Sequence, residues 1–123
     1  MAVINVKTYV ADILESVTGL KDTMTSYPDK WDIEMPISVY RTTQKPYNLD
    51  ISSREELQTH WTIFVEIYTD NGSLTDIRNE VVSKFSDLGF SGTGHDSNTA
   101  GLTRVVCEFR GIVDNKLRQV YKA

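Results

Sequence analysis

From Gln58 to Thr69 the chain alternates with a period of two, and this run limits the fold more than any other feature. Trp61, Ile63, Val65 and Ile67 share one face, while His60, Thr62, Phe64, Glu66 and Tyr68 share the other. Successive Cβ atoms of extended backbone point to opposite sides, so this pattern specifies a strand with one strongly apolar face. Asp70-Asn71-Gly72 ends it as a turn. Asn71-Gly72-Ser73 also fits a glycosylation acceptor, but nothing points to secretion and the turn reading is preferred.

Two other segments alternate. In Pro36–Arg41, Ile37 and Val39 alternate with Ser38 and Tyr40, and Pro36 can only open a strand or lie on an edge. In Leu102–Val113, Val105, Cys107 and Phe109 oppose Arg104, Val106, Glu108 and Arg110. Asp114-Asn115 is then a turn candidate, and Lys116–Tyr121 a short returning strand.

Two stretches have helical spacing instead. Val3, Val6, Val10, Ile13, Leu14 and Val17 make one stripe, stopped by Gly19; Leu74, Ile77, Val81, Phe85 and Leu88 make another, closed by Gly89. Ser73 is placed to cap the second helix. Neither helix is long enough to persist alone, so each must bury its stripe on the sheet. Three segments lack a period: Lys21–Glu34, with Trp31 and Ile33 as its anchors, Thr42–Glu56, and Phe90–Gly101. The latter two are expected to be loops, and long loops of this kind are commonly functional. Hairpins and one helix join the strands without regular βαβ alternation. The expected fold is α+β, a mixed and mainly antiparallel sheet with two helices packed on one face. At 123 residues the chain is expected to form a single domain.

The net charge is −4, with Lys and Arg scattered among more numerous Asp and Glu. A protein that grips nucleic acid needs a basic face, so such a role is disfavoured. A mildly acidic wall would still suit DNA that must pass without sticking. No stretch approaches the roughly 18 apolar residues of a membrane span, the N-terminus lacks the pattern of a secretory signal, and the single cysteine permits no internal disulfide. A soluble, intracellular protein is expected.

Catalytic patterns are weak. His95-Asp96 could form half of a metal or proton-relay site, but no further His or Cys cluster supports a ligand set, and a solvated pair is preferred. Cys107 sits among apolar residues, where a small buried hydrophobe is the preferred reading over a nucleophile. Ser91-Gly92-Thr93-Gly94-His95 contains Gly-x-Gly, yet runs into a strand and lacks a Lys, unlike a phosphate loop. Glu55-Glu56 is a carboxylate pair on an expected solvated loop. No cofactor and no enzymatic reaction are expected.

The surplus is aromatic. Tyr40, Phe64 and Tyr68 are expected to project from the sheet face opposite the helices. Either a partner covers that face or the loop Thr42–Glu56 folds over it; the residues leave both open.

The ordered run Tyr27-Pro28-Asp29-Lys30-Trp31, then Met35-Pro36-Ile37-Ser38-Val39-Tyr40-Arg41, resembles the opening of small neck proteins from long-tailed phages. Thr59–Tyr68 is similar to that family's central strand, and Ser73-Leu74-Thr75-Asp76-Ile77 and Leu88-Gly89-Phe90 to the bounds of its second helix. Phe109–Asp114 with Val120-Tyr121-Lys122 is similar to its tail. The family is the tail terminator, or tail-completion, proteins of siphophages, and the likeness spans nearly the whole chain. It implies an α+β subunit of a homohexameric ring that caps the tail tube and stops its growth. It further implies that the ring meets a head-connector protein, passes DNA through its lumen as cargo, and resides in the virion after assembly in the host cytoplasm. No catalytic residue carries over. The expected contacts are Tyr47, Leu49, Ile51 and Arg54 in the loop Thr42–Glu56, His95 and Asp96 in the loop Ser91–Ala100, and Tyr40, Phe64 and Tyr68 on the sheet. A head-completion adaptor is the nearest alternative, followed by a small ligand-binding α+β domain and then an enzyme.

Overall fold

The computed structural model describes residues 3–50, 55–98 and 101–122. In chain order the elements are α1 (Val6–Glu15), β1 (Asp22–Met24), β2 (Ile37–Asp50), β3 (Glu55–Thr69), α2 (Thr75–Asp87), β4 (Ser91–Asp96), β5 (Thr103–Asp114) and β6 (Gln119–Lys122). The fold is α+β. Its six-stranded sheet has the order β1-β2-β3-β5-β4, with β6 paired to β5 beyond the end of β4. β1 runs parallel to β2, and the remaining pairs are antiparallel.

The alternation of β3 is realised as expected: Trp61, Ile63, Val65 and Ile67 are all buried. They join a cluster that also holds Val6, Val10 and Leu14 of α1, Ile77, Val81 and Phe85 of α2, and Val105, Cys107 and Phe109 of β5. At its centre Phe85 stacks on Phe109, with ring centroids 4.5 Å apart and planes inclined by 21°. Truncating a buried Phe of this kind costs about 3–5 kcal/mol.

α2 ends in a motif that the sequence announces. Gly89 has φ of +106°, its N–H donates to the Ser86 carbonyl, and the N–H of Phe90 donates to the Phe85 carbonyl. The Phe85 and Phe90 rings meet edge-on, which supplies the hydrophobic contact typical of this ending. At the other end Leu74 occupies the cap position and Ser73 lies one residue earlier, where its hydroxyl accepts the N–H of Thr75.

Three aperiodic segments are more regular than their composition implies. The described residues of Thr42–Glu56 are not a loop: β2 continues to Asp50 and pairs with β3 from Glu55 onward. This half of β2 lies on an edge, because β1 covers only Ile37–Val39. An edge exposed to water on both faces needs no apolar row, and it tolerates Pro46, which gives up a donor. Within Phe90–Gly101, Ser91–Asp96 is strand β4. Its glycines are forced by proximity to β5. A Cβ at Gly92 would stand 2.0 Å from the Glu108 carbonyl oxygen, and one at Gly94 2.7 Å from Cys107 Sγ. The Gly-x-Gly run is therefore a close strand contact. Short β1 likewise arises within the turn-rich stretch after α1.

One side chain ties three parts of the chain together. Asn115 is 5% exposed and follows β5. Its Oδ1 accepts the Ile4 N–H at 3.0 Å, and its Nδ2 donates to the Glu56 carbonyl at 3.1 Å and to Thr59 Oγ1 at 3.0 Å. Its own N–H donates to the Leu57 carbonyl at 3.0 Å. The carboxamide thus joins the lead-in to α1, the base of β3 and the β5–β6 turn. Asn115→Ala leaves those groups without their partner and is expected to cost about 2–3 kcal/mol. Urea unfolding measures it; a loss below about 0.5 kcal/mol, the range of a neutral surface change, would show that the carboxamide is dispensable.

Candidate assembly surface

Cross-strand register decides where the sheet aromatics lie. Tyr40 pairs with Val65 and Ile37 with Tyr68. Residues directly opposite share a face, so Tyr40 belongs with the core row and does not project from the opposite face. It is 7% exposed and packed in the helix-side cluster. Ile37 and Val39 instead share the second face with Phe64 and Tyr68. Periodicity fixes parity within a strand but not between strands, and a register change of one residue reverses every side chain.

The second face is partly covered from within the chain, and not by Thr42–Asp50, which is strand. Tyr68 is 4% exposed and clusters with Ile37 and Val39 beneath Met24, Ile33 and Met35. The Trp31 ring lies 4.9 Å from that of Tyr68, and the Tyr27 ring meets Tyr68 edge-on at 6.5 Å. The segment after β1 is thus the cover, anchored by Trp31 and Ile33 as expected. Tyr68 is an internal contact and unsuited to a partner.

A polar network fixes that cover. Glu66 Oε2 accepts from the Tyr27 hydroxyl at 2.6 Å and the Tyr68 hydroxyl at 2.9 Å, and Glu66 Oε1 accepts from Arg104 at 2.6 Å. Arg104 also donates to the Tyr68 hydroxyl at 3.1 Å and to Ser97 Oγ at 3.1 Å. Burial pushes the Glu66 carboxyl up, but the hydrogen bonds from Tyr27, Arg104 and Tyr68 outweigh it, and the net result lies below the ordinary carboxylate value. The Tyr68 hydroxyl is raised, by burial first and then by Glu66.

Beyond the cover, the face is open. Phe64 is half-buried beneath the Arg41 guanidinium, 4.5 Å from its ring centroid. His60 and Thr62 continue the row, with Arg110 paired to Glu108 at 3.1 Å. His95 and Asp96 are exposed on β4, a strand and not the loop expected. Among the described residues, no group of three or more His, Cys, Asp or Glu is placed to hold a metal ion. Burial pushes the Cys107 thiol up to about 11, so it is protonated near neutral pH. Among the described residues, no helix is long and apolar enough to cross a membrane.

Among the described residues, the most exposed large apolar side chains of the sheet lie toward the far end of the β2–β3 hairpin. β3 pairs with β5 only from Gln58 onward, so the hairpin beyond that point is a two-stranded arm. The ladder shifts register between Pro46 and Asn48, and again before Leu49. Tyr47 falls in the first shift and is 59% exposed; Leu49 is 53% exposed. Bulges re-aim side chains, and here one turns an aromatic ring into water. Ile51 and Arg54 lie outside the described residues. Tyr47 thus lies at the root of the arm, beside the last pairing of β3 with β5, and Leu49 lies on the arm itself.

Sequence reasoning missed a second exposed apolar group, which includes Tyr9 and Leu88. Helical spacing places Leu88 in the α2 stripe, but it sits past the helix end, where the face rotates away from the core. A scan against protein-family models and a search of curated proteins give no match to this chain.

The Glu66 network makes stability depend on acid. A carboxyl held below its ordinary value contributes in full above that value, 4.5, and loses the contribution as pH falls through the folded value. Urea unfolding of the wild type and Glu66→Gln should therefore differ most near neutral pH and converge below pH 4.5. A difference that is constant across that window would refute the network's ionic character.

Proposed function

We propose that this chain is a non-catalytic structural subunit that forms a ring at the neck of a long-tailed phage. It caps the tail tube, ends its growth and joins it to the head connector, with DNA passing through the lumen. The arm carries this reading. A two-stranded ribbon has little stability of its own in water, and exposed Tyr47 at its root and Leu49 on it gain most by burial against another protein. The resemblance of the chain to tail terminators supplies the partners. A cyclic ring uses heterologous contacts, in which a projection on one subunit meets a different surface on the next. The hairpin end beyond Gln58, paired with no third strand, provides such a projection. The net charge of −4 is compatible with DNA as passing cargo, because the wall does not hold phosphates.

This proposal revises the expectation of a loop that orders on assembly. β2 and β3 are already paired through Asp50 and Glu55, so the arm meets its partner largely formed.

Wild-type protein mixed with phage tail tubes should form closed rings at one tube end, visible by electron microscopy. Tyr47→Asp with Leu49→Asp should leave stability within about 1 kcal/mol of wild type, since both side chains are exposed, yet abolish the rings. Rings on head connectors alone would redirect the assignment to a head-completion adaptor. Normal capping by the double variant would remove the arm from the mechanism.

A further inference from the structure

The sheet is open on both sides, and its edges are unequally protected. A bare edge presents N–H and C=O groups that a further strand can pair with, and chains blunt it with Lys, Pro, a bulge or a covering segment. Among the described residues, β1 covers only Ile37–Val39 of β2. From Lys45 onward β2 is blunted by that lysine, by Pro46 and by the register shifts that follow. Between these limits, Tyr40–Gln44 keeps a regular ladder with β3 and no strand flanks it. On the opposite side β6 is covered, because Gly89 closes on it: a Cβ there would stand 2.6 Å from the Val120 carbonyl oxygen. β4 has none of these devices. From Gly92 to Asp96 it holds no Lys or Pro, and its register with β5 is unbroken. Gly92, Thr93, His95 and Asp96 are exposed, and among the described residues no strand lies beyond them.

The two bare segments match each other. They are equal in length. The β2–β3, β3–β5 and β5–β4 pairs are all antiparallel, so β4 runs antiparallel to β2. Place two copies side by side with the Trp61–Ile67 row of each on the same side of a shared sheet. β4 of one then meets β2 of the other in the antiparallel sense, the commoner pairing. Side chains fall in step as well. Arg41 and Thr43 share the open face with Phe64 and Thr62, and Thr93 and His95 share it with Glu108 and Val106. Charge favours unlike edges. Arg41 is the charged residue of the β2 segment and Lys45 adjoins it, whereas Asp96 is the charged residue of the β4 segment. Pairing β2 with β2 would set cations against cations. Pairing β4 with β4 would leave both β2 edges bare.

We propose that Gly92–Asp96 of one copy pairs antiparallel with Tyr40–Gln44 of the next, so that the sheets of neighbouring subunits join. The inference rests on the ring reading above and deepens it by naming the subunit contact. The contact is heterologous. Each copy uses one edge of each kind, and pairing continues until the circle closes.

Two readouts on protein assembled at tail-tube ends test it. Under mild oxidation, Thr93→Cys mixed with Arg41→Cys or with Thr43→Cys should give a disulfide dimer of one copy of each. Thr93→Cys mixed with Gln44→Cys, whose side chain lies on the other face, should not. The native Cys107 is buried and does not interfere. Thermal melts of each variant check that it folds. In wild type, hydrogen exchange at the outward amides of Gly92–Asp96 and Tyr40–Gln44 should slow about tenfold or more on assembly, as new backbone hydrogen bonds form. Failure of either readout in rings that do form overturns the contact and leaves the ring reading standing. Equal dimerisation of Thr93→Cys by itself overturns it too, since β4 then meets its own copy. If wild type forms no rings at any concentration or on tube ends, the ring reading falls and the contact with it.

Discussion

Strand β3 is the constraint on which the rest depends. It pairs with β2 on one side and β5 on the other along most of its length. Its strict alternation therefore sorts side chains for its neighbours as well as for itself. One row, from Trp61 to Ile67, sinks into the cluster shared with both helices. The other row begins at the covered Tyr68, passes through the Glu66 network and ends at open Phe64, Thr62 and His60. A single register thus defines a helix-side core, a smaller second core and a free surface. Shifting it by one residue would expose the first and bury charge in its place.

Elements with strong periodicity were legible from the residues. Both helices, the central strand and β5 lie close to where their patterns place them, and the glycine that ends α2 adopts the conformation its position demands. Elements held mainly by backbone pairing were not. The outer half of β2 and all of β4 carry polar residues, Pro46 or paired glycines, and their order comes from backbone hydrogen bonds to the strand that follows each in the chain. Composition reports side-chain burial, so a strand with no face to bury reads as a loop. Tyr40 illustrates a second limit, since its own strand gives no clue to which row of β3 it joins. For the surface, Tyr47 and Leu49 were found because large apolar residues in a polar run stand out. The apolar group at Tyr9 and Leu88 was not, because it assembles from separated segments.

Two exposed parts of the surface rest on the fold in different ways. Tyr9 and Leu88 stand around Val6, Phe90 and Val113, which are part of the main core. The arm leaves the sheet as paired strands, its base held by Asn115 through Glu56 and Leu57. Both parts are therefore held in shape by the fold itself.

The attachment of the arm also has a mechanical consequence. β2 and β3 continue without interruption from the arm into the body of the sheet, where β3 is hydrogen-bonded on both sides. A load along the arm is therefore carried in shear, shared among many ladder bonds at once. A load across it bends only the two-stranded part and is stopped at the Asn115 fulcrum, where chain start, strand and turn are pinned together. The hairpin end is therefore stiff in tension and compliant in flexure.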